Sequence, residues 1–180
     1  MEKNNNVKNE SKRMLTGMFS DRTGAETAYN DLQDAGYSND DIDLIMSEET
    51  RKASFSDEAQ DTEIGTKAAE GAGKGSAIGG TVGAIAGVIA ALGTSLIIPG
   101  LGVIIAGPIA AGLAGAGAGG LTGGIIGALV GSGIPEARAK LYESGVKKGH
   151  IVLGVRPRND DDAARIQRTW KENKGEEIHW

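Results

Sequence analysis

The sequence predicts an α+β fold that is interrupted near its middle by a pair of apolar helices. Three observations lead to this prediction. Short apolar strand patterns occur towards both ends of the 180-residue chain, apolar residues recur at helical spacing beside them, and no charged residue occurs between Gly75 and Pro135. Because both flanks of this uncharged block are densely charged, we interpret it as an element inserted into a single charged domain.

The N-terminal flank begins with a polar leader. Residues 1–12 are rich in Asn and charge and lack the apolar stretch of a secretory signal, so we expect them to be disordered. Residues 13–46 are predicted to form the first half of the α+β domain, as a strand, a helix and a second strand. The helix has apolar residues at helical spacing from Ala25 onward, and Gly36 suits its C-terminal end. The polar and acidic residues 47–64 are predicted to be a linker.

The C-terminal flank, residues 135–180, supplies the second half of the same domain. Pro135 suits the first turn of a helix, where its missing N–H would have no helical partner. Residues 150–156 form the clearest strand pattern in the chain, and a last helix begins at the acidic residues 160–162, before a short edge strand. Two such halves are typical of a ferredoxin-like sandwich, which is the topology we predict. Three aromatic residues, each on the apolar side of a different predicted helix, are expected in its core: Tyr29, Tyr142 and Trp170.

The uncharged block is predicted to be a glycine-zipper helical hairpin over residues 65–134, with helices at about 66–92 and 108–130. Its glycines recur every fourth residue in two runs, and residues four apart form one ridge of an α-helix. Each run therefore makes a groove without side chains, in which a second helix can approach closely. The glycines expected to pack helices within and between chains are Gly71, Gly75, Gly79, Gly83, Gly87, Gly115, Gly119, Gly123, Gly127 and Gly131.

The connection between the two predicted helices is unusually apolar for a loop. We assign the turn to Pro99, Gly100 and Pro108, within the segment SLIIPGLGVIIAGP. Three explanations are open: the hairpin dips into one leaflet of a bilayer, crosses it with the tip at the far interface, or is buried among copies of itself. Each predicted helix could cross about 30 Å of hydrocarbon, so we prefer membrane insertion. Lysines and arginines flank the block, which favours a cytoplasmic location for both charged halves.

No catalytic, cofactor-binding or metal site is predicted. The run GAGAGG at residues 115–120 matches a dinucleotide-binding pattern, but no strand precedes it and it lies within the glycine repeat. The acidic turn at residues 40–43 lacks the spacing of a calcium loop and is better explained by capping and solvation. His150 and His179 have no partner at metal-ligand spacing, and the chain has no cysteine. Neither flank is basic enough to indicate nucleic-acid binding.

Two segments resemble bacterial stress proteins. The segment GMFSDRTGAETAYNDLQDAGYSNDDIDLIMS, residues 17–47, is similar to the opening domain of general stress proteins of the heat-induced YflT type. Residues 97–155, which contain PGLG, AGP, GALVG and GIPE, resemble low-temperature-induced and related stress proteins. Together the resemblance covers about residues 14–155. It implies a stress-induced protein and supplies no catalytic residue.

These observations predict a non-enzymatic stress-response protein that self-associates through its glycine-zipper hairpin. We expect it on the cytoplasmic side of the cell membrane, with the hairpin inserted in or assembled at the lipid bilayer, so that its partners are other copies of the chain and lipid. One alternative is a soluble cytoplasmic oligomer or particle with the apolar hairpins buried inside. A weaker alternative is an α+β domain that senses a small ligand. The sequence indicates no nucleic acid and no small-molecule substrate.

Overall fold

An antiparallel sheet with helices on both faces forms the framework of the protein. The computed structural model describes residues 13–55, 85, 96–98, 102–115 and 124–180. Within these ranges the chain has an α+β architecture, as predicted, with six strands in one sheet and six α-helices.

The sheet places its strands in an order that differs from their order in the chain. The strands are β1 (Leu15–Phe19), β2 (Ile42–Ser47), β3 (Leu96–Ile98), β4 (Val103–Ala106), β5 (Ile151–Val155) and β6 (Glu176–His179). Across the sheet the order is β3-β4-β2-β5-β1-β6, and every neighbouring pair is antiparallel. β5 therefore lies between β1 and β2 and joins the two halves of the α+β domain.

The helices surround this sheet. They are α1 (Arg22–Asp34), α2 (Glu48–Phe55), α3 (Pro108–Gly115), α4 (Gly124–Gly131), α5 (Glu136–Lys147) and α6 (Asp160–Glu172). Three of them begin with a side-chain cap. Asp21 Oδ1 accepts from the backbone N–H of Gly24 and Asn159 Oδ1 from that of Asp162, both at 2.8 Å. Ser47 Oγ accepts from that of Thr50 at 3.0 Å. Each cap satisfies a backbone donor that has no partner within its helix.

The first face of the sheet is covered by α1 and α6. Phe19 and Trp170 meet edge to face there, with ring centroids 5.7 Å apart, and Tyr29 is fully buried beside them. This cluster confirms the prediction that Tyr29 and Trp170 belong to the core. Other buried members of the cluster are Leu15, Leu32, Leu44, Met46, Leu153 and Ile166.

The second face of the sheet is covered by α3, α4 and α5. Tyr142 of α5 is fully buried there, as predicted. Its hydroxyl lies 2.8 Å from Thr16 Oγ1 and donates to the carbonyl oxygen of Glu177 at 2.7 Å, so its polar end is satisfied. The apolar side chains packed on this face include Met14, Met18, Ile45, Val152, Ile105, Ile109, Leu113, Ile125 and Leu129.

The predicted linker begins instead as a helix. Residues 48–55 form α2, and its last residue, Phe55, is only 5% exposed because it packs into the core of the first face. The guanidinium of Arg22 lies over the Phe55 ring at 4.7 Å, and it also donates to the carbonyl oxygen of Ser54. These contacts tie α2 to α1, so the linker prediction is wrong over this stretch; residues 56–64 lie outside the described residues.

The apolar connection within the uncharged block is a strand pair rather than the tip of a helical hairpin. β3 pairs with β4, and β4 pairs with β2, so this segment extends the sheet of the charged domain. β4 is buried on both faces, since Ile104 contributes to the core of the first face and Ile105 to that of the second. A strand buried on both faces has a continuous apolar sequence, which accounts for the absence of polar residues here.

The two predicted limbs of the hairpin are separated by this sheet where the structure describes them. Ile85, from the first limb, is fully buried in the core of the first face, whereas Ile109 and Leu113, from the second limb, pack on the second face. The second limb is also not one continuous helix. At Gly124, the first residue of α4, φ is +57°, a left-handed conformation outside the α-helical range. The rest of the predicted first helix lies outside the described residues.

Candidate functional site

The structure describes only some of the predicted packing glycines. Gly115, Gly127 and Gly131 belong to α3 and α4, and Pro108 begins α3 as expected for a proline in a first turn. The remaining predicted packing and turn residues lie outside the described ranges: Gly71, Gly75, Gly79, Gly83, Gly87, Gly119, Gly123, Pro99 and Gly100.

Gly127 and Gly131 of α4 lie on the side of the helix that faces away from the sheet. Its inner side is formed by Ile125 and Leu129, which are at most 1% exposed, whereas Val130 is 43% exposed. A Cβ atom built at Gly127 or Gly131 would have no described atom within 4 Å. These two members of the glycine repeat therefore pack against nothing in the described part of the chain.

Neighbouring residues extend this surface onto α3. Ala111, another member of the four-residue repeat, is exposed, and so is Gly112, whose Cβ position is likewise free of described atoms. Neither helix contains a charged residue. The surface can therefore form close van der Waals contacts but no ion pairs. We call it the outer glycine surface and define it as Ala111, Gly112, Ile126, Gly127, Val130 and Gly131.

A buried carboxyl group lies where the uncharged block joins the charged domain. Asp43 of β2 is 1% exposed, and its Oδ1 atom accepts a hydrogen bond of 2.6 Å from the backbone N–H of Ile109, in the first turn of α3. Its Oδ2 atom has no hydrogen-bond partner among the described residues. Burial raises the pKa of Asp43 to about 7, although the Ile109 hydrogen bond and the positive charge of Arg156 act in the opposite direction.

Two glycines make the close approach at Asp43 possible. Gly107 has φ of +94°, and a Cβ atom there would lie 2.9 Å from Asp43 Cα and still closer to the carbonyl oxygen of Ile42. Gly154 is the partner of Asp43 in the β2–β5 register, and its Cβ would lie 3.2 Å from Asp43 Cβ. The backbone therefore closes around the carboxyl group from both sides.

Sequence reasoning assigned Asp43 to a solvated acidic turn, and this assignment is wrong. The turn itself ends at Asp41, whose carboxylate accepts from the backbone N–H of Ser38 at 2.9 Å, and Asp43 is the second residue of β2. Alternation along a strand places Asp43 on the same face as Ile45, which is buried. Strand alternation could therefore have indicated that Asp43 is buried, but the neighbouring acidic residues suggested a solvated turn instead.

The N-terminus of α6 offers an open hollow of about 320 Å³, lined by both signs of charge. Its Arg158 side chain donates to the carbonyl oxygens of Ala35 at 3.0 Å and Gly36 at 2.5 Å, and its guanidinium lies 4.3 Å from the centre of the Tyr37 ring. Arg158 therefore closes the C-terminal end of α1 rather than presenting a free cation. Arg165, also in the lining, pairs with Asp162.

No group of three or more potential metal ligands is found among the residues described above. Of the helices in that same part of the chain, none combines the length and the apolar character required to cross a bilayer.

Comparison with protein-family models, with curated proteins and with solved structures found no match to this chain. The similarity to stress proteins therefore stays a prediction that rests on the sequence segments quoted above.

Proposed function

We propose that the protein is a non-enzymatic assembly protein that self-associates through its outer glycine surface. The observation that carries this proposal is the placement of Gly127 and Gly131, which lie on the outer side of α4 with free space around their Cβ positions. These two members of the four-residue repeat are thus not engaged in a contact with the described residues, and we propose that a second chain supplies that contact.

The energetics of glycine in helices favour a contact partner for this surface. A glycine within a helix costs about 1 kcal/mol relative to alanine when it faces water, and Gly127 lies in the interior of α4. Close backbone approach by another helix offsets that cost through packing. Because the surface has no charge, two copies can meet on the same patch without repulsion, as a two-fold symmetric contact requires.

The ferredoxin-like topology is part of this proposal. It is supported by the order β2-β5-β1-β6, which makes up one end of the sheet, and by α1 and α6, which share the first face. On this interpretation α3, α4 and α5 form an added layer on the second face, and the outer glycine surface is the outside of that layer. A role in the stress response rests on the sequence resemblance alone.

Self-association is tested by replacing Gly127 with leucine. The Gly127→Leu side chain begins at a position with no described atom within 4 Å, so the fold is expected to survive, but it blocks close approach by a second helix. We expect the mass measured by analytical ultracentrifugation to fall from that of an oligomer to that of the 18.5 kDa chain. Ser144→Leu, on the exposed side of α5, is the matched control and should leave the oligomer intact.

Two outcomes would contradict the proposal. A wild-type chain that remains a monomer at all concentrations excludes self-association, and an unchanged oligomer in Gly127→Leu excludes this surface. Flotation with vesicles of anionic and neutral lipids distinguishes membrane binding from self-association. If Gly127→Leu is a monomer and still floats with the vesicles, the chain contacts the bilayer rather than a second chain.

A further inference from the structure

Asp43 occupies the contact between the sheet and the first helix of the second limb, and it is not part of the outer glycine surface. We propose that Asp43 is a proton-dependent latch, which holds the N-terminus of α3 on the sheet when its carboxyl group is neutral and favours release of α3 when it is charged. The latch would control how firmly the uncharged block is attached to the charged domain.

The geometry makes solvation of Asp43 depend on movement of α3. The carboxyl group is 99% shielded, and the backbone from Gly107 to Ile109 lies directly against it. On the opposite side, Gly154 and Met14 close the approach, with Met14 Sδ 3.2 Å from the Cβ position of Gly154. The Gly107–Ile109 segment contacts the Oδ1 side of the carboxyl group, and Oδ2 faces Gly154. Because β5 is held on both sides by strand pairing, we place the opening at the Gly107–Ile109 segment.

Among the residues that the structure describes, no countercharge contacts Asp43 to stabilise its charged form. β4, α3 and α4 contain no titratable residue, and α5 directs Tyr142 to this face, with its hydroxyl bound to Thr16 and Glu177. Arg156, just after β5, is exposed and acts at a distance. A buried carboxylate with one unpaired oxygen is unfavourable under these conditions, because the free-energy cost of desolvating the charge exceeds the stabilisation from one backbone hydrogen bond.

The direction of the pH dependence follows from these contacts. With α3 in place the pKa of Asp43 is about 7, and with the carboxyl group exposed it returns towards its ordinary value of 3.8. The closed state therefore binds the proton more tightly, so the latch is strongest below pH 3.8, weakens as pH rises, and stops weakening above about 7. Between about pH 5.5 and about pH 8 the opening equilibrium should increase by up to about 30-fold.

Hydrogen exchange on the full-length protein tests this proposal. Backbone exchange rates would be measured across that pH range and divided by the intrinsic rate at each pH. The resulting ratio reports the opening equilibrium alone. We expect protection of the α3 amides to fall by about tenfold or more towards high pH. Protection of α6, on the other face, should stay constant. The carboxyl ¹³C shift of Asp43 in the same samples should titrate near pH 7.

Two variants make the test specific. Asp43→Asn keeps an oxygen for Ile109 but cannot ionise, so α3 protection should become independent of pH. Asp161→Asn makes the same chemical change at an exposed site and should behave as wild type. The proposal is overturned if wild-type α3 protection does not change with pH or if α3 and α6 change equally. It is also overturned if the Asp43 carboxyl titrates below pH 5; this last measurement needs no variant to fold.

Discussion

Individual glycines of the uncharged block have opposite structural roles. Gly107 is required by the fold, since its φ of +94° and its contacts with the backbone of β2 leave no room for a side chain. Gly112, five residues later in α3, is exposed and has no described atom within 4 Å of its Cβ position. A composition rich in glycine therefore does not have one meaning, and each position has to be judged by its backbone angle and its neighbours.

This contrast predicts different effects for the same substitution. Gly107→Ala should lower the free energy of unfolding by more than about 2 kcal/mol, because the methyl group meets the Ile42 carbonyl and the backbone angle is strained. Gly112→Ala should leave it unchanged or raise it by about 0.5–1 kcal/mol, as expected for an exposed helical site. Urea denaturation of both variants checks this. Equal stability in the two would mean that the backbone near Gly107 rearranges freely.

At the scale of secondary structure, side-chain caps define where helices begin. The Asn159 cap of α6 satisfies the N–H of Asp162, and three consecutive aspartates in the first turn interact favourably with the helix dipole. α6 carries Trp170, the largest buried side chain on the first face, so the cap supports both the helix and the core.

Removal of this cap should weaken the fold measurably. Asn159→Ala should lower the free energy of unfolding by about 1 kcal/mol, because one backbone donor loses its acceptor. Asn159→Asp retains an acceptor at the same position and should be close to wild type. Thermal and urea denaturation of the two variants at neutral pH provide the measurement. A loss of stability as large in Asn159→Asp as in Asn159→Ala would show that Asn159 acts through something other than capping.

Much of the element structure could be predicted from the sequence, and the failures have physical causes. In the flanks, one side of each helix is apolar, so spacing identified α1, α5, α6 and the three aromatic core residues. In the uncharged block that contrast is missing, and β4 is too short and too uniformly apolar to distinguish from a helix or a membrane segment. Asp43 was missed because neighbouring acidic residues suggested solvation, although strand alternation placed it inside.

At the scale of the whole molecule, the uncharged block and the charged domain share one core. The second face of the sheet contains Met14, Met18 and Ile45 from the N-terminal half, and they pack together with residues of α3 and α4. The sequence interpretation of an independent insertion therefore underestimates how much the domain depends on the block.

A chain that lacks residues 75–135 should consequently fail to fold cooperatively. The deletion removes β3, β4, α3 and α4 and uncovers apolar side chains that each contribute about 1.5–3 kcal/mol when buried. Their sum is comparable to the whole stability of a typical domain, about 5–15 kcal/mol. Dye binding to exposed apolar surface and the loss of a cooperative urea transition would check this. A soluble deletion chain with a sharp transition would mean that the block is dispensable.

The central position of β5 has a consequence for how the protein is made. β1 and β2 each pair with β5, and not with one another, yet β5 is encoded more than 100 residues after them. A ribosome therefore releases the whole glycine-rich segment before the strand that unites the sheet can emerge. Such long-range closure is slow and leaves apolar surface uncovered in the meantime. The nascent chain is thus most vulnerable to aggregation just before residues 151–155 leave the exit tunnel.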